Sequence, residues 1–215
     1  MYDLHTHTFQ SDGELTLAEL ARRCQNQGYR GLAISDHCDH ANIEQVVRGA
    51  CTFCSAVRGH YRGMEIVPAC EITHVPPDLI AGLVERARQL GARLVLVHGE
   101  TIVEPVQAGT NRAALEAGVD VLAHPGLIDP ADVALAARRG VLLEISGRKG
   151  HCLTNGHVAR LALQHGAKLS FGSDGHEPGE FPDRQEAARI LRGAGLTDQQ
   201  VEDVFRNNAA FFEQP

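Results

Sequence analysis

The chain has 215 residues, 43% of them hydrophobic and 22% charged, which suits one folded domain with a sizeable core and excludes a disordered, low-complexity chain. A formal charge of -7 argues against a free-standing nucleic-acid binder, which needs a basic face for phosphates. No apolar run approaches the roughly 18 residues of a membrane span and the first twenty residues lack a leader pattern, so a cytoplasmic protein with its six cysteines reduced is expected.

Short β-rich apolar runs alternate with helical stretches along the chain, the pattern of βαβ units around a parallel sheet. The first predicted strand, residues 2–4, is followed by His5-Thr6-His7, with Asp12 close behind. A helix then opens at Thr16, where Glu19 completes a capping-box pattern, and stops at Gly28. Strand 31–35 precedes Asp36 and His37, and the helical stretch beyond it carries Cys51 and Cys54. That pair has no second CxxC or CxxH to complete a zinc site, and is read as a helix face. Strand 66–70 ends at Glu71, the next helix stops at Gly91, strand 93–97 ends at His98, and strand 119–123 ends at His124. Pro130 opens a helix over 130–139 that Gly140 closes. Strand 141–145 leads into Ser146-Gly147-Arg148-Lys149-Gly150-His151, and Asn155 is placed as the cap of a helix running to His165. The last strand, 168–172, precedes Asp174 and His176, and helices over 184–192 and 197–207 finish the chain.

Seven strands read as near-continuous apolar runs, as strands buried on both faces should. The expected fold is α/β: a distorted, TIM-like (β/α)7 barrel forming a single domain over 1–215, with an open doubly wound sheet as the alternative. In a parallel barrel the residues just past each strand converge on one face. Here they are six histidines, His5, His7, His37, His98, His124 and His176, with the carboxylates Glu71, Asp174 and Asp12. Imidazoles and carboxylates without convergent thiolates suit zinc, iron(II) or manganese. Nine donors exceed the three or four that one ion takes, and imply two or three divalent ions.

The ordered motifs H-T-H with S-D-G behind it, S-D-H, an isolated E, V-H-G, A-H-P-G and S-D-G-H resemble the PHP family, the polymerase and histidinol phosphatase domain, over essentially the whole chain. The resemblance implies a distorted seven-stranded barrel with a trinuclear metal centre. One ion would take His5, His7, Glu71 and Asp174; a second His98 and His124, sharing Glu71 as a bridge; a third Asp12, His37 and His176.

Closely spaced divalent ions acidify a bridging water, supply hydroxide and stabilise charge on phosphoryl oxygens, so the expected activity is hydrolysis of a small phosphate monoester, histidinol phosphate being one candidate. Glu71, Asp174, Asp36 and Arg148 form the expected catalytic group, Asp36 as the partner that fixes a ligand histidine's tautomer. Arg148 is the expected phosphate fork, with Lys149, His151, Asn155 and His74 lining the substrate pocket. The alternatives are a nucleotide or oligonucleotide phosphodiesterase or exonuclease, an amidohydrolase-type C–N hydrolase, and a non-catalytic metal-binding module. The partner expected is a small phosphorylated substrate, with neither membrane nor nucleic acid; the oligomeric state is open.

Overall fold

The computed structural model describes residues 1–213. The apolar runs fold into strands β1 (Tyr2–Asp3), β2 (Gly31–Ile34), β3 (His37–Cys38), β4 (Glu65–Ile72), β5 (Leu94–His98), β6 (Val121–Ala123), β7 (Leu142–Ser146) and β8 (Leu169–Gly172). All pair in parallel, in the order β1-β2-β4-β5-β6-β7-β8. The short β3 lies off this path: it resumes the line of β2 beyond Ser35 and Asp36 and pairs with β4, setting His37 opposite Glu71.

β1 and β8 lack a regular ladder, yet the sheet is nearly closed. At the carboxyl end Thr6 bridges Gly175, with His7 N donating to Gly175 O at 3.0 Å and Asp174 N to His5 O at 2.9 Å. Lower down, the Asn208 amide stands in for missing rungs: Nδ2 donates to Tyr2 O at 3.0 Å and Phe171 O at 2.7 Å, and Oδ1 accepts from Phe171 N at 3.2 Å. The result is the distorted seven-strand barrel of the sequence expectation rather than the open sheet.

Side chains alternate in and out with the two-residue strand period. One set, including Ala33, Val67, Ala69, Leu94, Leu96, Val121, Ala123 and Leu142, packs as a single interior cluster that Phe212 closes at the amino end, its ring 5.5 Å from that of Tyr2. The other set, including Leu32, Ile72, Val95, Val97 and Leu143, packs against the surrounding helices. The same parity continues toward the carboxyl end, where it turns Glu71, His98 and Glu144 inward.

The helices are α1 (Leu17–Asn26), α2 (Ile43–Ala56), α3 (Pro77–Leu90), α4 (Thr110–Ala117), α5 (Pro130–Arg139), α6 (Asn155–His165), α7 (Arg184–Gly193) and α8 (Asp198–Ala209). Gly91 and Gly140 take the left-handed caps expected of them. Two local expectations need correction. Thr16 accepts from Glu19 N at 3.2 Å, but the Glu19 carboxylate pairs with Arg23 one turn on instead of returning to the cap, so the box is half-formed. Asn155 is no cap: it begins α6 behind a 3-10 turn, His151–Thr154, and its amide bonds both Ser146 N at 3.1 Å and Ser146 O at 2.8 Å. No helix among the described residues is long and apolar enough to cross a membrane.

Candidate metal centre

At the carboxyl end of the barrel the inward parity and the strand-end loops bring the nine predicted donors together. His5 Nε2 and His7 Nε2 lie 2.9 Å apart. Glu71 Oε2 is 3.3 and 3.6 Å from them, and Asp174 Oδ1 is 3.9 and 3.4 Å away. Tetrahedral ligands at about 2.0–2.2 Å from one ion are roughly 3.3–3.6 Å from each other, so these four atoms have the spacing of one coordination shell. Beside them His124 Nε2 lies 3.4 Å from Glu71 Oε1 and 3.6 Å from Asp174 Oδ2, and His98, His124 and His151 offer nitrogens within 4.8 Å of one another. At the mouth Asp12 Oδ1 is 3.6 Å from His37 Nε2 and 3.1 Å from His176 Nε2. Glu71 stands between the groups, one oxygen toward His5, His7 and His37 and the other toward His124.

The donor set fits divalent cations on a direct observation. Both oxygens of Glu71, Asp174 Oδ2, and the Nδ1 atoms of His7, His124 and His151 are buried with no hydrogen-bond partner among the described residues, although His37 Nδ1 approaches Glu71 to 2.7 Å. Buried carboxylate oxygens so orphaned are costly, and a shared cation is the usual remedy. Burial alone would raise the Glu71 and Asp174 carboxyls, but the surrounding imidazoles, His5 foremost, hold both well below the usual carboxylate range. Burial pulls His5 down, and Glu144, Glu71 and Asp174 together outweigh it, leaving the ring well above its ordinary value. Among the described residues three non-glycine residues have left-handed backbone, His74 (φ 53°), His124 (φ 24°) and Asp174 (φ 52°), and all three lie at this centre, where strain of about 1–3 kcal/mol per residue is typically stored.

Two supporting carboxylates escaped the sequence reading. Glu144, inward on β7, holds His5 Nδ1 at 2.7 Å, the tautomer-fixing contact expected of Asp36. A side chain at Gly172 would come within 2.6 Å of both Glu144 Oε2 and the His5 Cβ, so the contact requires glycine there. Asp36 instead accepts from Thr8 N at 2.6 Å, Thr8 Oγ1 at 2.8 Å and Ser11 Oγ at 2.8 Å, tying down the loop that carries Asp12; burial raises its pKa despite these donors. Glu144 was detectable as a charge inside a buried apolar run. Glu104 sits in a loop whose pattern offers no comparable signal, and it reaches His74, His98 and His151.

The remaining candidates divide. Arg148 and His74 line the cleft of about 360 Å³ above the centre, and Arg148 Nη1 donates to Asp174 O at 3.1 Å while touching His176 Nδ1. His151 is buried against the His124 ring, 4.0 Å between centroids, and so belongs with the imidazoles rather than with the basic loop; burial and His124 lower its pKa to about 4. Lys149 is exposed and lines a neighbouring groove, and the Asn155 amide is committed to Ser146. Cys51 and Cys54, both free, line a separate groove with Pro68 and Arg93.

Residues 3–98 match the PHP domain family. An uncharacterized protein of Methanocaldococcus jannaschii is 38% identical over 204 residues, covering 94% of each chain. The chain belongs to the PHP domain family. A second relative, a probable phosphatase of Thermoanaerobacter sp. (strain X514), is 26% identical over 222 residues, with 93% of this chain and 88% of that one covered. The fold recurs in solved structures. A chain of archaeal ribonuclease P with mature tRNA superposes with a TM-score of 0.71 at 13% identity, covering 97% of this chain and 89% of the other. Histidinol phosphate phosphatase from Lactococcus lactis subsp. lactis Il1403, complexed with zinc, L-histidinol and phosphate, gives 0.63 at 14% identity, covering 91% and 94%. At these identities the likeness is one of fold.

Proposed function

We propose that this PHP protein is a metal-dependent phosphoesterase that hydrolyses a small phosphate monoester. The observation that carries the reading is the convergence of nine imidazole and carboxylate side chains on one centre, buried except toward Asp12 and His37 at its mouth, in which both Glu71 oxygens and one Asp174 oxygen lack partners. Divalent cations held by His5, His7, Glu71 and Asp174, by His98 and His124, and by Asp12, His37 and His176 would acidify water at neutral pH and offset charge on phosphoryl oxygens.

The protein's own groups do the rest. Glu144 holds His5 with Nε2 directed at the centre, and Asp36 fixes the loop that brings Asp12 to the mouth. Arg148 presents a half-buried guanidinium beside His176, where its fork suits two phosphate oxygens. The cleft volume of about 360 Å³ lies at the small end of ligand pockets, as a monoester requires. Support also comes from the relative named a probable phosphatase and from the fold shared with a histidinol phosphate phosphatase.

The ribonuclease P likeness favours a second reading, a component acting on or with RNA. With 27 acidic against 20 basic residues, the chain lacks the charge excess that phosphate-backbone binding draws on. A C–N hydrolase relying on a carboxylated lysine finds no lysine in the cleft lining. The test is a panel of phosphomonoesters, short single-stranded oligonucleotides and peptide amides offered to protein of measured metal content. Phosphate release from one or a few monoesters is expected. Mononucleotide release with inert monoesters would replace the proposal by the nuclease reading.

A further inference from the structure

Glu104 lies outside the nine motif residues, yet three imidazoles converge on its carboxylate, His98 at the end of β5 and His74 and His151 from the segments that follow β4 and β7. Oε2 is 3.1 Å from His98 Nε2 and 3.2 Å from His74 Nε2, and Oε1 is 3.1 Å from His151 Nε2. The other nitrogen of His98, Nδ1, faces Gly99 O at 3.2 Å. A carbonyl oxygen only accepts, so in the neutral ring Nδ1 carries the proton and Nε2 turns a lone pair toward the lone pairs of Glu104. Such a facing pair is repulsive unless the ring takes a second proton or a cation lies between the two atoms. The 3.1 Å separation is close to the spacing of adjacent ligands on one divalent ion bound at about 2.0–2.2 Å. Glu104 shares a radius of 4.8 Å with His74 and His98, and His98 shares another with His124 and His151, so His98 links the two groups of donors.

Charge points the same way. Three imidazoles are neutral ligands, and Glu71 and Asp174 each divide their charge between this group and that of His5 and His7. A dication beside His98 would lack a carboxylate of its own, and Glu104 provides one from a loop rather than from a strand end.

We propose that Glu104 is an additional carboxylate ligand of the divalent cation that His98 helps to hold, with His74 and His151 beside it, so that ion binding fastens the loop after β5 across the cleft. The inference rests on the reading of the centre as a divalent-cation site.

The test is equilibrium dialysis of the metal-free protein against buffered zinc, with metal counted per chain, for the wild type, Glu104→Gln and Glu104→Asp. Cobalt absorption spectra of the same proteins supply a second readout. Glu104 is about one-third exposed on a loop, so both variants are expected to fold, which circular dichroism checks. Glu104→Gln should lose one equivalent at the zinc concentration that saturates the wild type, or bind it at least tenfold more weakly, with the other ions retained and the cobalt spectrum altered. Glu104→Asp should fall between the two. A Glu104→Gln protein that binds every wild-type ion with unchanged affinity and an unchanged cobalt spectrum overturns the proposal, and all the more if its turnover rises, because Glu104 would then be a plug in the mouth. A wild type that binds no zinc is a different failure, which removes the cation centre itself.

Discussion

Glu144 offers the most discriminating substitution. Its Oε2 sits 2.7 Å from His5 Nδ1 in a position closed to water, and Gly172 leaves no room for the pair to rearrange. Glu144→Gln keeps the shape and can still accept from Nδ1, but it withdraws the charge that raises the basicity of Nε2. Removing such a partner costs about 10- to 100-fold in metal affinity, or roughly 1.4–2.7 kcal/mol. The metal-free variant should be less stable than the wild type, because Glu144 is foremost among the charges that hold the buried His5 ring above its ordinary value, and removing one partner of a buried pair is costly. The effect of zinc is read against each protein's own metal-free Tm, so this loss does not enter it. The stabilisation gained on adding zinc should therefore shrink by the affinity loss, about 3–10 °C in Tm for a chain of this size. Thermal unfolding with and without zinc, beside a competition titration against a chromophoric chelator, measures both. A Glu144→Gln protein with wild-type zinc affinity, alongside a His5→Gln protein that loses an ion, would refute the orienting role.

Four further outcomes follow from the geometry. His98→Ala and Asp174→Ala should each abolish phosphoester turnover and lower metal content, and unchanged turnover in both would sink the assignment of the centre. Arg148→Ala should raise KM more than it lowers kcat, since a guanidinium at the cleft wall binds ground-state phosphate, and a pure kcat effect in steady-state kinetics would contradict that role. Asn208→Ala removes three hydrogen bonds between α8 and the β1–β8 seam, which at about 1 kcal/mol each predicts a loss near 3 kcal/mol and a Tm lower by roughly 6–12 °C; a loss under about 1 kcal/mol in urea unfolding would show that the seam does not depend on it. Cys51→Ser with Cys54→Ser should leave phosphoester turnover unaltered, as the groove they line is separate from the cleft, and lost activity with retained folding would reopen a role for the pair.

Most of the fold was legible because parallel strands buried on both faces leave uninterrupted apolar runs, and a donor after each run marks the carboxyl-end face. Leu94–His98 illustrates this: four apolar residues and then a histidine, in the sequence and in the barrel alike. What escaped depended on parity and on loops. Glu144 could have been read by counting two residues on from the inward Leu142, but a single charge inside LLEIS does not announce its partner 139 positions away. Asp36 follows its strand as the ligands do, yet the chain turns it toward Thr8 and Ser11. Asn155 has the residue type of a cap, and a 3-10 turn with no periodic signature moved it into the helix. Seam closure by Asn208 joins residues more than 200 positions apart, which no local pattern encodes.

The central claim is that divalent cations bound by this cluster drive phosphoester hydrolysis. Its most direct measurement is phosphate release from the best monoester substrate as a function of ions bound per chain, on protein stripped by chelation and reloaded in steps. The account predicts negligible turnover without metal, recovery that rises with occupancy and reaches its plateau as the last equivalent binds, and no recovery in Asp174→Ala. Full turnover in the stripped protein, or recovery in a variant that binds no metal, would contradict it.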